Sequence, residues 1–176
     1  FEDLSEHGKR FLLDSEEYNN NLFQYLSDLS IIPGGSVLSS VGTNQRCSLS
    51  NCFVIKTEDS IDAIFNSARD MSNITKRRGG VGLDLSVLRP SSAPVNNSAK
   101  TTTGIVPFMR LYSEVTSVIG QGGRRGALML SVDINHPDSP EFITAKQDLT
   151  QITGANISVK ISNDFMKAVE NNHDYL

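Results

Sequence analysis

The chain is poor in cysteine, in histidine and in long apolar runs, and each shortage closes off a class of protein. Its 176 residues contain two cysteines, Cys47 and Cys52, too few for a disulfide-stapled scaffold. Three scattered histidines, His7, His136 and His173, show no ligand spacing with each other or with the thiols, so no metal site is expected. His136 precedes Pro137 in an Asn-His-Pro-Asp sequence and reads as a structural turn residue, not a ligand. No apolar run approaches the length of a membrane span, and no signal peptide is visible. The formal net charge of −4 argues against a surface that coats nucleic acid, while leaving room for a local basic pocket. There is no Walker A pattern. Gly79-Gly80-Val81-Gly82 follows a helical pattern and precedes a strand pattern, the reverse of the order in a dinucleotide-binding fingerprint. The chain begins at Phe1, not at methionine, which suggests a piece of something longer.

Hydrophobic residues make up 38% and charged residues 20% of the chain, a composition that supports one ordinary domain with a real core. Leu22, Phe23, Leu26 and Leu29 fall at helical spacing within a polar N-terminal stretch, and Pro33-Gly34-Gly35 breaks it. Ser50 to Lys56 reads as a strand. Ile61, Ile64, Phe65, Ala68, Met71 and Ile74 form one apolar helical stripe, with acids at its start, Lys76-Arg77-Arg78 at its end, and Gly79-Gly80 as its stop. Val81, Leu83, Leu85 and Val87 alternate with smaller or polar residues as in a half-buried strand. Residues 90–103 read as a long loop without periodicity. A helix is expected from Pro107 to Ile119, a strand over Ala127–Ile134 and a helix capped by Ser139. A strand over Asn156–Ile161 and a final helix capped by Asn163 complete the pattern. Alternating strands and helices favour an α/β sheet or barrel.

Three features carry candidate chemistry. Cys52 lies on a strand, either as an inert buried thiol or as a redox thiol. It could pair with Cys47 only if Cys47 lies in a turn, because an extended segment rises about 3.3 Å per residue. Glu58-Asp59-Ser60-Ile61 opens a helix, either as an acidic cap or as a carboxylate that accepts a ribose hydroxyl. Finally, Lys76-Arg77-Arg78, Arg89, Lys100 and Arg124-Arg125 adjoin glycines or the long polar loop, a setting suited to phosphate. In Gly120-Gln121-Gly122-Gly123-Arg124-Arg125-Gly126, glycine permits close backbone approach and arginine suits phosphate or a base face. The plain alternative is a solvated turn.

In this order and spacing, the pieces resemble the large catalytic subunit of ribonucleotide reductase. The matching stretches include Leu49-Ser50-Asn51-Cys52-Phe53-Val54, Glu58-Asp59-Ser60-Ile61, Lys76 to Gly82, Leu88-Arg89-Pro90, Gly104 to Met109, Gln121 to Ala127, His136-Pro137-Asp138 and Glu141-Phe142-Ile143. The resemblance runs from about Pro33 to the C-terminus. Gly-Gly-Arg-Arg-Gly-Ala-Leu-Met-Leu and Thr-Gly-Ala-Asn-Ile-Ser-Val look like the bacterial adenosylcobalamin-dependent forms; a form using a separate radical-generating small subunit stays open.

The resemblance implies a ten-stranded α/β barrel, of which residues 33–176 would supply the first half, with residues 1–32 as a helical N-terminal segment. It implies a cytoplasmic oxidoreductase that makes deoxyribonucleotides for DNA replication by thiyl-radical chemistry. Cys52 matches the first cysteine of the reducing pair, whose redox-active disulfide is reduced back to thiols by thioredoxin or glutaredoxin. Ser50, Asn51, Gly79 and Gly80 match substrate-side positions. Asp59, Ser60, Ile61, Lys76 and Arg89 match an allosteric site for ATP or deoxynucleoside triphosphates. Residues 89–100 correspond to one specificity loop and Gly122, Gly123, Arg124, Arg125 and Gly126 to a second. A homodimer is expected, together with the remainder of the catalytic chain, since the radical cysteine and second reducing cysteine lie further along in the family. Many members have serine directly before the reducing cysteine, where this chain has Asn51, and Cys47 has no assigned family role. The competing class is a non-catalytic nucleotide-binding module derived from the same fold. A reducing thiol would be superfluous there. A plain structural α/β domain would leave the glycine–arginine loop, Cys52 and the acidic helix start unexplained together.

Overall fold

The computed structural model describes residues 16–44, 47–119, 126–147 and 152–175. They fall into two compact units, Phe1–Asn51 and Cys52–Leu176. The first contains helix α1 (Glu16–Ser27) and the short helix α2 (Gly35–Leu38). Of the four apolar residues at helical spacing here, Leu26 alone is buried, and Leu29 lies beyond the helix with φ 63°.

In the second unit strands and helices alternate: β1 (Cys52–Ile55), α3 (Ile61–Thr75), β2 (Gly80–Asp84), α4 (Val106–Val118), β3 (Leu128–Asp133), α5 (Ser139–Thr144), β4 (Asn156–Lys160) and α6 (Asn163–Glu170). A strand that returns through a helix re-enters the sheet parallel to its predecessor. All three pairings are parallel, and the spatial order is β1-β2-β3-β4. This is the expected α/β architecture, present as an open sheet and not a closed barrel.

One face of the sheet is the core. Val81, Leu83, Leu128, Leu130 and Val132 are buried there with Met71 of α3 and Met109 and Tyr112 of α4. The Tyr112 hydroxyl shares a 2.7 Å hydrogen bond with Ser67 Oγ and donates to the Ile64 carbonyl at 3.3 Å, fastening α4 to α3. Burial raises its pKa, against the opposing effect of its hydrogen bonds. The alternate residues, Cys52, Val54, Met129, Asn156 and Ser158, are exposed on the opposite face, Val54 at 86%. Parallel sheets ordinarily have both faces covered, whereas among the described residues this face is exposed.

Several local expectations shift. The α3 stripe is only partly internal, since Ile61 and Phe65 are exposed while Ile64, Ala68 and Met71 are buried. Its left-handed terminal residue is Arg78 at φ 68°, not a glycine. Gly79 serves close packing instead: a Cβ there would lie 2.5 Å from Ile74 Cγ2 and 2.8 Å from Phe53 Cε2. β2 ends at Asp84, leaving Leu85 buried and Val87 exposed beyond it. The α5 N-cap is Asp138, not Ser139, and the α6 N-cap is Ser162, whose Oγ accepts the Phe165 N–H, not Asn163.

The 90–103 segment is not structureless. Ser92 and Thr102 donate backbone N–H groups to Thr102 and Ala93 carbonyls, Val95 donates to Lys100, and Pro94 bridges Thr101 in antiparallel fashion. It is a small pinned hairpin, invisible to a search for periodicity because its order lies in backbone pairing.

Candidate functional site

Two places combine several of the expected site residues. The first is a cleft of about 590 Å³ between the start of α3 and the hairpin, of the size usual for small-molecule sites. Ser60 is the N-cap of α3, extended at φ −146°, with its Oγ accepting the Ala63 N–H at 3.2 Å. That geometry turns Asp59 out of the helix toward Arg89. The Asp59 carboxylate accepts the Arg89 backbone N–H at 3.2 Å and Nε–H at 2.6 Å. Arg89 Nη2 reaches the Asp59 carbonyl at 3.3 Å, and Nη1 reaches the Pro94 carbonyl at 3.2 Å. Asp59, Ser60, Ile61 and Arg89 thus line one cleft, with Phe108 of α4 on its apolar side and Thr101–Thr103 of the hairpin on its polar side. Sequence reasoning did not single out the threonines or Phe108 for this cleft; Phe108 reads as one more apolar residue of its helix.

Lys76 is placed elsewhere. It is the C-cap of α3, a helix length of about 24 Å from Ser60, and its Nζ donates to Asn73 Oδ1 at 2.7 Å.

The second place is the bare sheet face. Cys52 opens β1 as an exposed free thiol, in register with Gly80 of β2. Gly80 and Gly82 carry no side chains, so the face beside the sulfur is open backbone. A shallow groove of about 260 Å³ runs across it past Cys52, Val54, Gly82, Met129 and Asn156. A thiol at a strand start, beside a strip without side chains, is accessible to a substrate that lies flat on the sheet. Ser50 and Asn51 precede Cys52 directly in the chain and belong to the N-terminal unit. There the Asn51 amide lies over Gly34, where an added Cβ would come within 2.7 Å of Nδ2.

At the other end of the same face, Asp84 accepts from Lys160 Nζ at 2.6 Å and from Ser86 Oγ at 2.6 Å. Partial burial pushes the Asp84 carboxyl upward, but the Lys160 and Ser86 hydrogen bonds outweigh it and hold the group below the ordinary aspartate range.

Of the glycine–arginine loop, Gly122, Gly123, Arg124 and Arg125 lie outside the described residues. Gly126 lies within them, wedged between Thr75 of α3 and Thr116 of α4: a Cβ would meet their Cγ2 atoms at 2.7 and 2.8 Å. The loop's C-terminal root is therefore packed between the two helices.

The family model "Ribonucleotide reductase, barrel domain" matches residues 50–176, and the chain belongs to the ribonucleotide reductase family. Among its relatives is a vitamin B12-dependent ribonucleoside-diphosphate reductase of Thermoplasma acidophilum, 37% identical over 161 residues, covering 90% of this chain and 21% of that protein. A protein of the same description from Mycobacterium tuberculosis is 36% identical over 149 residues, covering 84% of this chain and 21% of its own length. The chain thus spans about a fifth of these relatives. Among solved structures, the alpha subunit of an Actinobacillus ureae class Id ribonucleotide reductase superposes with a TM-score of 0.80 at 22% identity, over 97% of this chain and 31% of that one. That likeness supports the fold.

Proposed function

We propose that the chain is part of a ribonucleotide reductase catalytic subunit, in which residues 33–176 form the first half of the barrel and residues 1–32 a helical lead-in. The observation that carries this reading is the exposed Cys52 thiol facing a glycine-lined groove on the uncovered sheet face. In the proposed reaction a cysteine thiyl radical elsewhere in the enzyme abstracts the ribose 3′ hydrogen, the 2′ hydroxyl leaves as water, and the same cysteine finally returns the hydrogen atom to the 3′ carbon. Cys52 and a second cysteine supply two electrons and two protons, becoming a disulfide that an external dithiol of the thioredoxin or glutaredoxin type reduces. Ser50, Asn51, Gly79 and Gly80 are the proposed substrate-side residues.

The Asp59–Arg89 cleft is the proposed allosteric site for ATP or deoxynucleoside triphosphates. Asp59 and Ser60 offer acceptors for ribose or base, Ile61 an apolar surface and Arg89 a guanidinium for phosphate. Lys76, distant within one protomer, is proposed to act at the same site in a homodimer. The loop of Gly122, Gly123, Arg124, Arg125 and Gly126 is proposed to link effector to substrate. Adenosylcobalamin is the proposed radical source, from the vitamin B12-dependent relatives; a radical-generating small subunit is the alternative. Among the described residues no group of three or more His, Cys, Asp or Glu could hold a metal ion. No helix among them is long and apolar enough to cross a membrane.

Cys52→Ser in the complete enzyme tests the reading. Multiple turnover with external reductant is expected to be abolished while effector nucleotides still bind. Unchanged multiple turnover would remove Cys52 from the redox role.

A further inference from the structure

Arg89 sits between two anchor points that belong to a distant turn. The carbonyl of Leu88, the residue before it, receives a 2.8 Å hydrogen bond from His136 Nε2. His136 Nδ1 accepts the Asp138 N–H at 3.1 Å, so Nε2 must carry the proton and donate. The Asp138 carboxylate accepts the Ser91 N–H through both oxygens at 3.0 Å, and the Ile105 N–H through Oδ2 at 3.1 Å. Ser91 and Ile105 are the two roots of the hairpin that walls the cleft. His136, Asp138, Leu88 and Ile105 are all buried.

Two further facts show that this arrangement is built. Asp138 is the N-cap of α5, where an aspartate ordinarily accepts an N–H of its own helix, yet it makes no such bond. Its carboxylate is committed across the fold instead. Gly104, next to the Ile105 root, has φ +82°, and any Cβ there would run into Asp138 Oδ2 and come within 2.9 Å of the Ser91 nitrogen. The glycine leaves the space that the carboxylate fills.

We propose that His136 and Asp138 are positioning residues for the nucleotide cleft. They clamp both roots of the 91–105 hairpin and set the pose of Arg89 without touching the ligand. The proposal rests on the effector reading of the cleft. It adds that nucleotide affinity is controlled from β3 and α5, through a turn outside the cleft. Because β3 begins just after the glycine–arginine loop, the same turn mechanically joins the hairpin to the strand that carries that loop.

The test uses the complete enzyme with dATP, dTTP and dGTP as probes, reading affinity by calorimetry and backbone amide exchange by mass spectrometry. Asp138→Asn keeps the shape but replaces one acceptor with a donor facing an N–H group. It is expected to weaken nucleotide binding by about tenfold and to speed exchange at Ser91 and Ile105. Gly104→Ala, which displaces the carboxylate without changing it, is expected to do the same, so the idea stays testable if one variant folds poorly. Wild-type affinity in a folded Asp138→Asn enzyme, with nucleotide still protecting the 59–61 amides, would overturn the clamp and leave the effector reading standing. If no probe protects 59–61 in the wild-type enzyme, the effector reading falls and the proposal with it. Faster exchange at Ser91 and Ile105 without any loss of affinity would also overturn it, since the clamp would then be merely structural.

Discussion

Replacing Arg89 separates its structural role from its proposed ligand-binding role. Its guanidinium makes one short bond, Nε to Asp59 Oδ2 at 2.6 Å, and two long ones, from Nη1 and Nη2 to carbonyls at 3.2 and 3.3 Å. The side chains of the pair remain 39% and 34% exposed, so solvent screens them and the pair contributes about 1 kcal/mol or less to stability. Arginine has five N–H donors in a fixed fork. The terminal nitrogens can therefore turn to a phosphate while Nε stays on Asp59. Removing a charge-assisted bond to phosphate costs about 1.5–3 kcal/mol, or roughly 10- to 150-fold in Kd. Arg89→Ala in the complete enzyme is thus expected to weaken effector binding by that factor, disturb substrate choice and barely move Tm. Arg89→Lys keeps the charge but loses the fork and is expected to fall between the two. Calorimetric titration with each effector nucleotide checks both. Wild-type affinity in Arg89→Ala, or a lysine variant weaker than the alanine one, would refute the reasoning.

Gly79→Ala is expected to destabilise the protein by about 1–3 kcal/mol, because its methyl has no room between Ile74 and Phe53; an unchanged Tm would show that β1 and α3 can separate freely. Tyr112→Phe removes a buried hydroxyl but leaves Ser67 Oγ bonded to the Ile64 carbonyl at 2.8 Å, so a loss of about 1 kcal/mol in denaturant unfolding is expected. Asp84 is held below the ordinary aspartate range. Its contribution to stability is therefore present above its unfolded pKa and lost as pH falls through the lower folded value. Lys160→Met should consequently lower stability at pH 7 by no more than about 1 kcal/mol, with the gap from wild type closing in acid. A gap that persists at the lowest pH would place the effect in packing and not in charge.

Local pattern was enough for much of this chain. Strand and helix alternation is written in the period of the apolar residues, and a chain that alternates in this way can hardly avoid a parallel sheet. The motif order that pointed to the family was legible as well, because it depends on residue type and spacing, and the family model matches residues 50–176. Tertiary structure decided the rest. Periodicity groups Ile61 and Phe65 with Met71, but exposure depends on which neighbour reaches each turn of α3. The Asp59–Arg89 pair spans thirty residues and the Asp138–Ser91 contact forty-seven, and no local rule relates groups so far apart. His136-Pro137-Asp138 reads in one dimension as a turn. Only the tertiary fold brings its buried carboxylate to two distant backbone amides, Ser91 and Ile105.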